Sequence, residues 1–410
     1  MHAIVIGAGM GGLFQAKVLA ESCSKITVLE RDKLSNDLAA RRGVPQANHN
    51  HVLVLGGYRA AVEIFPGLDQ SLVANGALAV DWYRDLKMYR NDGWRPRYVS
   101  GAAGITSNRV TLEKTVRAEL SKTQVEIIDD CEVQGLLHDA KQNRITGVAY
   151  SKNNESHELA CELVVDTSGR NGGSRNWLSA LDYPPPWETR VDPLCSYSTR
   201  WYSQLSPSQR DWKLFKVAVN QDYGRVASIV QTQVDEWVVT LQGFLGDYPP
   251  ADEAGFLEFA RSLPVSDVYD AIKHAVPKSP IFPYRRMHNV WKHYERARKW
   301  PENYIVAGDA KDGLKAGFSR HYQKCLAKTL VAPWLITTEE PLWYRSDFLP
   351  FGGFAYDLQT KYYKLISKAA NRDEKIWDIL QEVLQLARPA RDLLRPSILA
   401  RALKHAHGFS

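Results

Sequence analysis

A chain of 410 residues exceeds what one compact core supports and suits two or three domains. Its 44% hydrophobic and 24% charged content is that of an ordinary globular protein and excludes a low-complexity chain. The formal charge of +6 comes from 52 basic and 46 acidic residues with no Lys/Arg block carrying interleaved aromatics, so nucleic acid is not an expected partner.

The chain enters an apolar run at once, HAIVIGAGMGG, which reads as a buried strand rather than a signal peptide. Ala3 to Ile6 are all apolar, as a strand buried on both faces requires. Gly7, Gly9 and Gly12 then fit GxGxxG, the turn that brings backbone to a pyrophosphate, and a helix beginning near Gly11 aims its N–H groups at the phosphates. Ile26 to Leu29 give a second strand, with Glu30 at its end to accept both hydroxyls of an adenosine ribose. Strand, glycines, helix, strand and acid within one short stretch point to FAD or NAD rather than NADP.

Further on, RRGVPQANHNHVLVLGG carries Arg41, Arg42, His49 and His51. A His-x-His pair in a strand puts both imidazoles on one face. No third or fourth ligand is evident nearby, so no metal is expected. The pair is open to two readings, proton transfer at a site or packed, hydrogen-bonded histidines. Residues 76–102 alternate enough to suggest strands crossing into a second domain. CELVVDTSGRNGG is an apolar strand followed by Asp166 and Gly169. After the proline-rich DYPPPWETRVDP come four period-2 runs, SYSTRWYS, KLFKVAVN, GRVASIVQTQ and EWVVTLQGFL, which indicate an antiparallel sheet. In the first of them Tyr197, Thr199 and Trp201 share one face and Ser198, Arg200 and Tyr202 the other. Which face covers a cavity is open. Trp82, Tyr83, Trp201, Trp237 and Trp291 are candidates for its wall, or plain core.

Residues 252–276 read as helix with exits at Pro264 and Pro277, and NYIVAGDA is a strand ending in Gly308, Asp309 and Ala310, where a carboxylate and backbone N–H groups sit beside a polyol phosphate. Residues 354–405 have helical period, with arginines opposing the apolar positions; packing on the chain itself is expected rather than a membrane surface. No run approaches the ~18 apolar residues of a membrane span. Five scattered cysteines without CxxC spacing suit a reducing compartment, so a cytoplasmic location is expected, without stable membrane insertion.

In that order, the GxGxxG unit, RRGVPQANHNHVLVLGG, FPGL, SNRVTLEKTVRAEL, VVDTSGRNGGSRNWLSALDYPPP, SYSTRWY and GDA resemble the FAD-dependent oxidoreductases of the p-hydroxybenzoate hydroxylase-like group, and within it a bacterial subfamily with Arg-x-Gly-Val-Pro-Gln-x-x-His-x-His. The resemblance covers most of residues 1–330. It implies an α/β fold: a Rossmann-like FAD domain (1–80, 101–180 and 285–335), an antiparallel-sheet substrate domain (81–100 and 181–284) and a helical part (336–410). It implies that Gly7, Gly9, Gly12, Glu30, Arg31, Arg41, Arg42, Arg109, Asp166, Gly169, Gly308 and Asp309 hold FAD. His49, His51 and Arg200 are the catalytic candidates.

The segment after GDA departs from the family. Where Asn-Pro and Gly-x-Gly are usual, the matching positions are Lys315 and Ala316, then Ser319 and His321, which would stand at the flavin edge. The leading expectation is a monooxygenase acting on a hydrophobic, aromatic small molecule through a flavin C4a-hydroperoxide, with NADH or NADPH as transient reductant or an external flavin reductase. Two alternatives stand beside it: a non-redox cyclase or isomerase that keeps FAD structurally, and a ligand-binding protein without activity. Halogenation is not expected, because the tryptophan-rich motif of flavin halogenases is missing.

Overall fold

Short runs spread over the first 310 residues assemble into one parallel sheet, in the order Tyr304–Val306, Leu163–Asp166, His2–Ile6, Lys25–Leu29, Val125–Ile128. The computed structural model describes residues 1–35, 41, 43–90, 93–170, 172–205, 210–218, 224–307, 319, 321–326, 330 and 354–406. Ala3 and Val5 face helices Met10–Leu19 and Arg109–Leu120, while Ile4 and Ile6 face a three-stranded antiparallel layer (Cys131–Asp139, Arg144–Lys152, Glu155–Ala160). Covered on both sides, the central strand is apolar from Ala3 to Ile6, as burial on both faces requires.

The second large sheet runs in the order Val276–Pro277, Trp187–Gln204, Glu236–Gly243, Arg225–Gln233, Leu214–Val217, Leu86–Arg90, Gly93–Trp94, with Phe282–His293 also paired to Trp187–Gln204. All four period-2 runs are strands of it. It is not wholly antiparallel: Leu214–Val217 pairs parallel with Leu86–Arg90, because the latter strand arrives from the earlier crossing at residues 76–102. One face packs on helices Glu253–Arg261 and Asp267–Ile272 through Phe215, Ile229, Val239 and Phe256. The helical stretch expected over 252–276 is these two helices, with the exit at Pro264 falling between them, and Asp252 caps the first by accepting from Gly255 N.

The opposite face carries three straight rows of register partners. One row is Met88, Lys216, Ser228, Thr240 and Thr199; a second is Leu86, Leu214, Val230, Val238 and Trp201; a third is Val226, Gln242, Tyr197 and Tyr284. Helices Phe354–Ala369, Glu374–Leu384 and Pro396–Ala406 close over it. Gly56 N donates to Gln385 O and Leu55 N to Gln385 Oε1, fixing the helical part to the helix Leu55–Ile64. Arg401 and His405 both reach Asp373, tying the last helix to the one before it. Among the described residues no helix is long and apolar enough to cross a membrane.

Candidate functional site

A cavity of about 1640 Å³ runs from the glycine-rich turn to the rows of the second sheet. That exceeds the ~300–1,000 Å³ of a site for one small molecule and leaves room for a dinucleotide and a second ligand together.

Its first end is built by the parallel sheet. Gly7, at φ 98°, turns the chain out of the first strand, and its N–H donates to Leu29 O at 2.8 Å. Gly12 lies against that turn: a β-carbon there would stand 1.8 Å from Gly7 O, so helix and strand approach only as glycines. Gly7, Gly9 and Gly11 line the cavity. No side chain caps the helix Met10–Leu19, which leaves its first N–H groups to an incoming anion. Glu30 is buried at the end of the second strand, accepting from Ala8 N at 2.6 Å and Asp32 N at 2.9 Å. Arg31 lines the cavity beside it. These features fit a dinucleotide: a glycine turn for the phosphates, an uncapped helix and a buried carboxylate at the end of the second strand.

Arg41 crosses this end. Its guanidinium meets Glu30 at 3.3 Å, Asp32 at 3.4 Å and, closer still, Glu113. Arg109, the first residue of its helix, meets Glu113 at 3.3 Å and also lines the cavity. Asp166 does not line it. Its carboxylate accepts from Ser168 N at 2.8 Å and Tyr304 OH at 2.8 Å, and also from Ser174 Oγ, and so holds the turn Thr167–Gly169 that does. Gly169 has φ 81° and sits on the cavity edge. Asp166 is therefore a positioning group where contact was expected.

His49 stands where the two ends meet. Its Nδ1 pairs with Thr199 Oγ1 at 3.0 Å, and Thr199 Oγ1 with Thr240 Oγ1 at 2.9 Å. Tyr197 and Tyr284, stacked at 5.2 Å, both touch its ring. Burial and then the neighbouring His51 lower its pKa from 6.5 to about 4, so it is a neutral acceptor at ordinary pH. The two histidines are not in a strand. Pro45–Asn48 is a 3-10 turn, the chain beyond it is irregular, and His51 Nδ1 folds back onto His49 O at 3.0 Å. His51 does not line the cavity; burial lowers its pKa as well.

Three candidates lie away from the cavity. Arg200 points to the far face of its strand, since alternation puts it with Tyr202 rather than Thr199; it meets Glu253 at 3.2 Å and Ser279 O at 3.3 Å. Ser319 is buried, with its hydroxyl unpartnered among the described residues, in a helical turn where Tyr322 and Leu326 join the first core. His321, on the exposed side of that turn, meets Cys325 Sγ at 3.3 Å. Arg42, Gly308 and Asp309 lie outside the described residues. Of the aromatic candidates only Trp82 lines the cavity; the Trp201 indole donates to Asn48 O at 2.8 Å, and Trp237 packs on Trp212 behind the sheet. Sequence reasoning missed Lys216, Ser228, Thr240 and Gln381, all lining the second end. For the first three the only signal was the period-2 pattern, which does not say which face is open; Gln381 lies in the helix Glu374–Leu384, whose period does not say what it covers.

No family model matches the chain. A curated protein of Mycobacterium tuberculosis strain H37Rv, Protein Rv3254, is 27% identical over 345 residues, covering 78% of this chain and 69% of that protein. Among solved structures, the flavin-dependent brominase Bmp2 matches with a TM-score of 0.61 at 11% identity, over 99% of each chain. A flavoprotein/dehydrogenase from Cytophaga hutchinsonii matches with 0.61 at 11% identity, over 98% of this chain and 96% of that one. PqsL, a probable FAD-dependent monooxygenase from Pseudomonas aeruginosa, matches with 0.56 at 15% identity, over 92% and 100%. The chain has the fold of these flavoproteins. The parallel sheet carrying the glycine turn, the second sheet and the helical part are all included in that likeness.

Proposed function

We propose that this chain is an FAD-dependent oxidoreductase, most simply a monooxygenase acting on a small molecule at the second end of the cavity. The observation that carries the reading is the continuity of one cavity from the Gly7–Gly12 turn, past His49, to the polar rows of the second sheet. Gly7, Gly9, Gly11 and the helix they open would hold the pyrophosphate, Glu30 the adenosine ribose, and Arg109 and Arg41 the flank of the phosphates. Bound there, FAD supplies hydride acceptance and oxygen activation. Sheet and helical part exclude water from the second end by closing over it from two sides. His49 is the residue placed to hold a substrate group: burial keeps its ring neutral, Thr199 orients it through Nδ1, and its other ring nitrogen is left for a hydrogen bond. The likeness in fold to flavoproteins supports the cofactor, and NADH or NADPH is the reductant we expect.

The reading is tested by loading the protein with FAD and adding NADPH or NADH without oxygen. Bleaching of the visible flavin band, followed by oxygen uptake on re-aeration, is the expected result. A flavin that resists both donors and any flavin reductase contradicts the oxidoreductase reading, and turnover without oxygen or reductant would make the chemistry non-redox.

A further inference from the structure

Three described leucines have left-handed backbone: Leu194 at φ 46°, Leu245 at φ 58° and Leu386 at φ 56°. Leucine is strained in that conformation, which glycine and asparagine adopt more easily. Leu386 has a local reason for it. It follows the helix Glu374–Leu384, and Ala387 N donates across it to Glu382 O at 2.8 Å, the left-handed exit common at helix ends. No helix end accounts for the other two. Leu245 and Gly246, at φ 58° and 89°, are the central residues of a turn closed by Asp247 N on Phe244 O at 3.1 Å. Positive φ at both centres is the turn that favours Asn-Gly, so leucine stands in the place of an asparagine. Leu194 follows Pro193, where a turn of positive φ favours glycine or asparagine. Burial does not account for them either, since Leu194 is 40% exposed and Leu245 44%. The two tips are joined: Leu245 N donates to Pro193 O at 3.2 Å and Gly246 N to Leu194 O at 2.9 Å.

This pair stands at the rim of the cavity. Pro193 and Cys195, on either side of Leu194, line it, and so does Phe244 before Leu245. Gly169 and Arg170 line it too and are exposed, so the cavity opens to the surface beside them. The rim is basic. Arg190, also exposed, donates to His288 Nε2 at 2.8 Å, and Lys292 Nζ donates to Arg170 O at 3.4 Å. Burial, then Arg190 and Arg170, lower the His288 pKa, which puts both guanidinium groups near that ring; Asp192 opposes them. Among the described residues no carboxylate forms an ion pair with Arg170, Arg190 or Lys292, while Asp247 is held by Arg225 at 2.6 Å.

Exposed leucines that the backbone disfavours, framed by cations without a carboxylate, suit a partner with an anionic surface and an apolar interior. Two side chains are too little apolar area for a stable protein interface, whereas a bilayer admits single residues. We infer that this rim docks on an anionic lipid bilayer, with Leu194 and Leu245 entering the headgroup layer and Arg170 and Arg190 meeting its phosphates. Docked so, the cavity opens toward lipid, and an apolar ligand enters it without crossing water.

The test is co-sedimentation of the protein, with FAD present throughout, on vesicles of phosphatidylcholine alone and of phosphatidylcholine mixed with phosphatidylglycerol. It is repeated on the double variants Leu194→Asn/Leu245→Asn and Arg170→Gln/Arg190→Gln, with the melting midpoint and solution mass of each. The wild type should partition onto the mixed vesicles about tenfold or more better than onto phosphatidylcholine, and less so as salt rises. The leucine changes should weaken binding to mixed vesicles about fivefold or more, while the melting midpoint holds or rises because asparagine fits both turns. Leucines that serve only the fold would give the reverse, a lower midpoint with binding unchanged. The arginine changes should remove the preference for phosphatidylglycerol. If the leucine changes unfold the protein, the arginine pair decides alone. No binding to mixed vesicles, binding that survives the leucine changes, or a preference that survives the arginine changes overturns the inference. So does a wild-type dimer that the leucine changes dissociate, since a second copy then covers the rim.

Discussion

A methyl group at Gly12 would sit 1.8 Å from a backbone oxygen of the turn, while at Gly9 it would meet nothing within 4 Å. The two glycines of one motif therefore have separable jobs, one in packing and one in leaving space. Gly12→Ala should cost about 1–3 kcal/mol in a thermal melt, since backbone must shift to admit it. Gly9→Ala should cost at most about 1 kcal/mol, the loss of a favoured helix cap. It should nonetheless weaken FAD by about tenfold or more, because the new carbon fills the space a phosphate needs. Equal effects of the two on stability would contradict the division. His49 has a signature in pH. Its folded pKa of about 4 lies below the ordinary 6.5, so the unfolded chain binds the extra proton first. Stability from this residue is complete above pH 6.5 and is lost as pH falls from there toward 4. Chemical denaturation of wild type and His49→Gln across that interval should show a pH slope in the first that is reduced in the second.

At the scale of elements, the alternation of the strand Trp187–Gln204 decides which residues see the cavity. Thr199 lies on the open face against His49, and Arg200 on the face that packs toward helix Glu253–Arg261. Arg200→Gln should cost about 1 kcal/mol of stability or less and leave ligand affinities within about twofold. A loss of affinity tenfold or greater would put Arg200 back in the site. The strand and its alternation were legible in SYSTRWYS, but its polarity was not. Both faces carry aromatic and hydroxyl residues, so the choice depends on what packs behind, and that comes from residues 253–272. His49 was legible as a functional candidate and illegible in conformation. The proline at 45 begins a turn that propensity for the following apolar run conceals.

For the whole molecule, the glycine turn, Glu30 and the first two strands of the parallel sheet were legible because their spacing is local, all within the first 30 residues. The closing helices were legible as helices only. What they cover depends on Gly56, where a β-carbon would come 2.3 Å from Leu386 O, a contact across 330 positions that no local pattern announces. The claim on which everything else depends is that this chain holds FAD. The direct measurement is the visible spectrum of the protein after incubation with FAD and removal of the unbound excess by gel filtration. The account predicts a yellow protein carrying close to one flavin per chain, with the Gly9→Ala variant retaining markedly less under the same conditions. A folded wild-type protein that elutes colourless would contradict it.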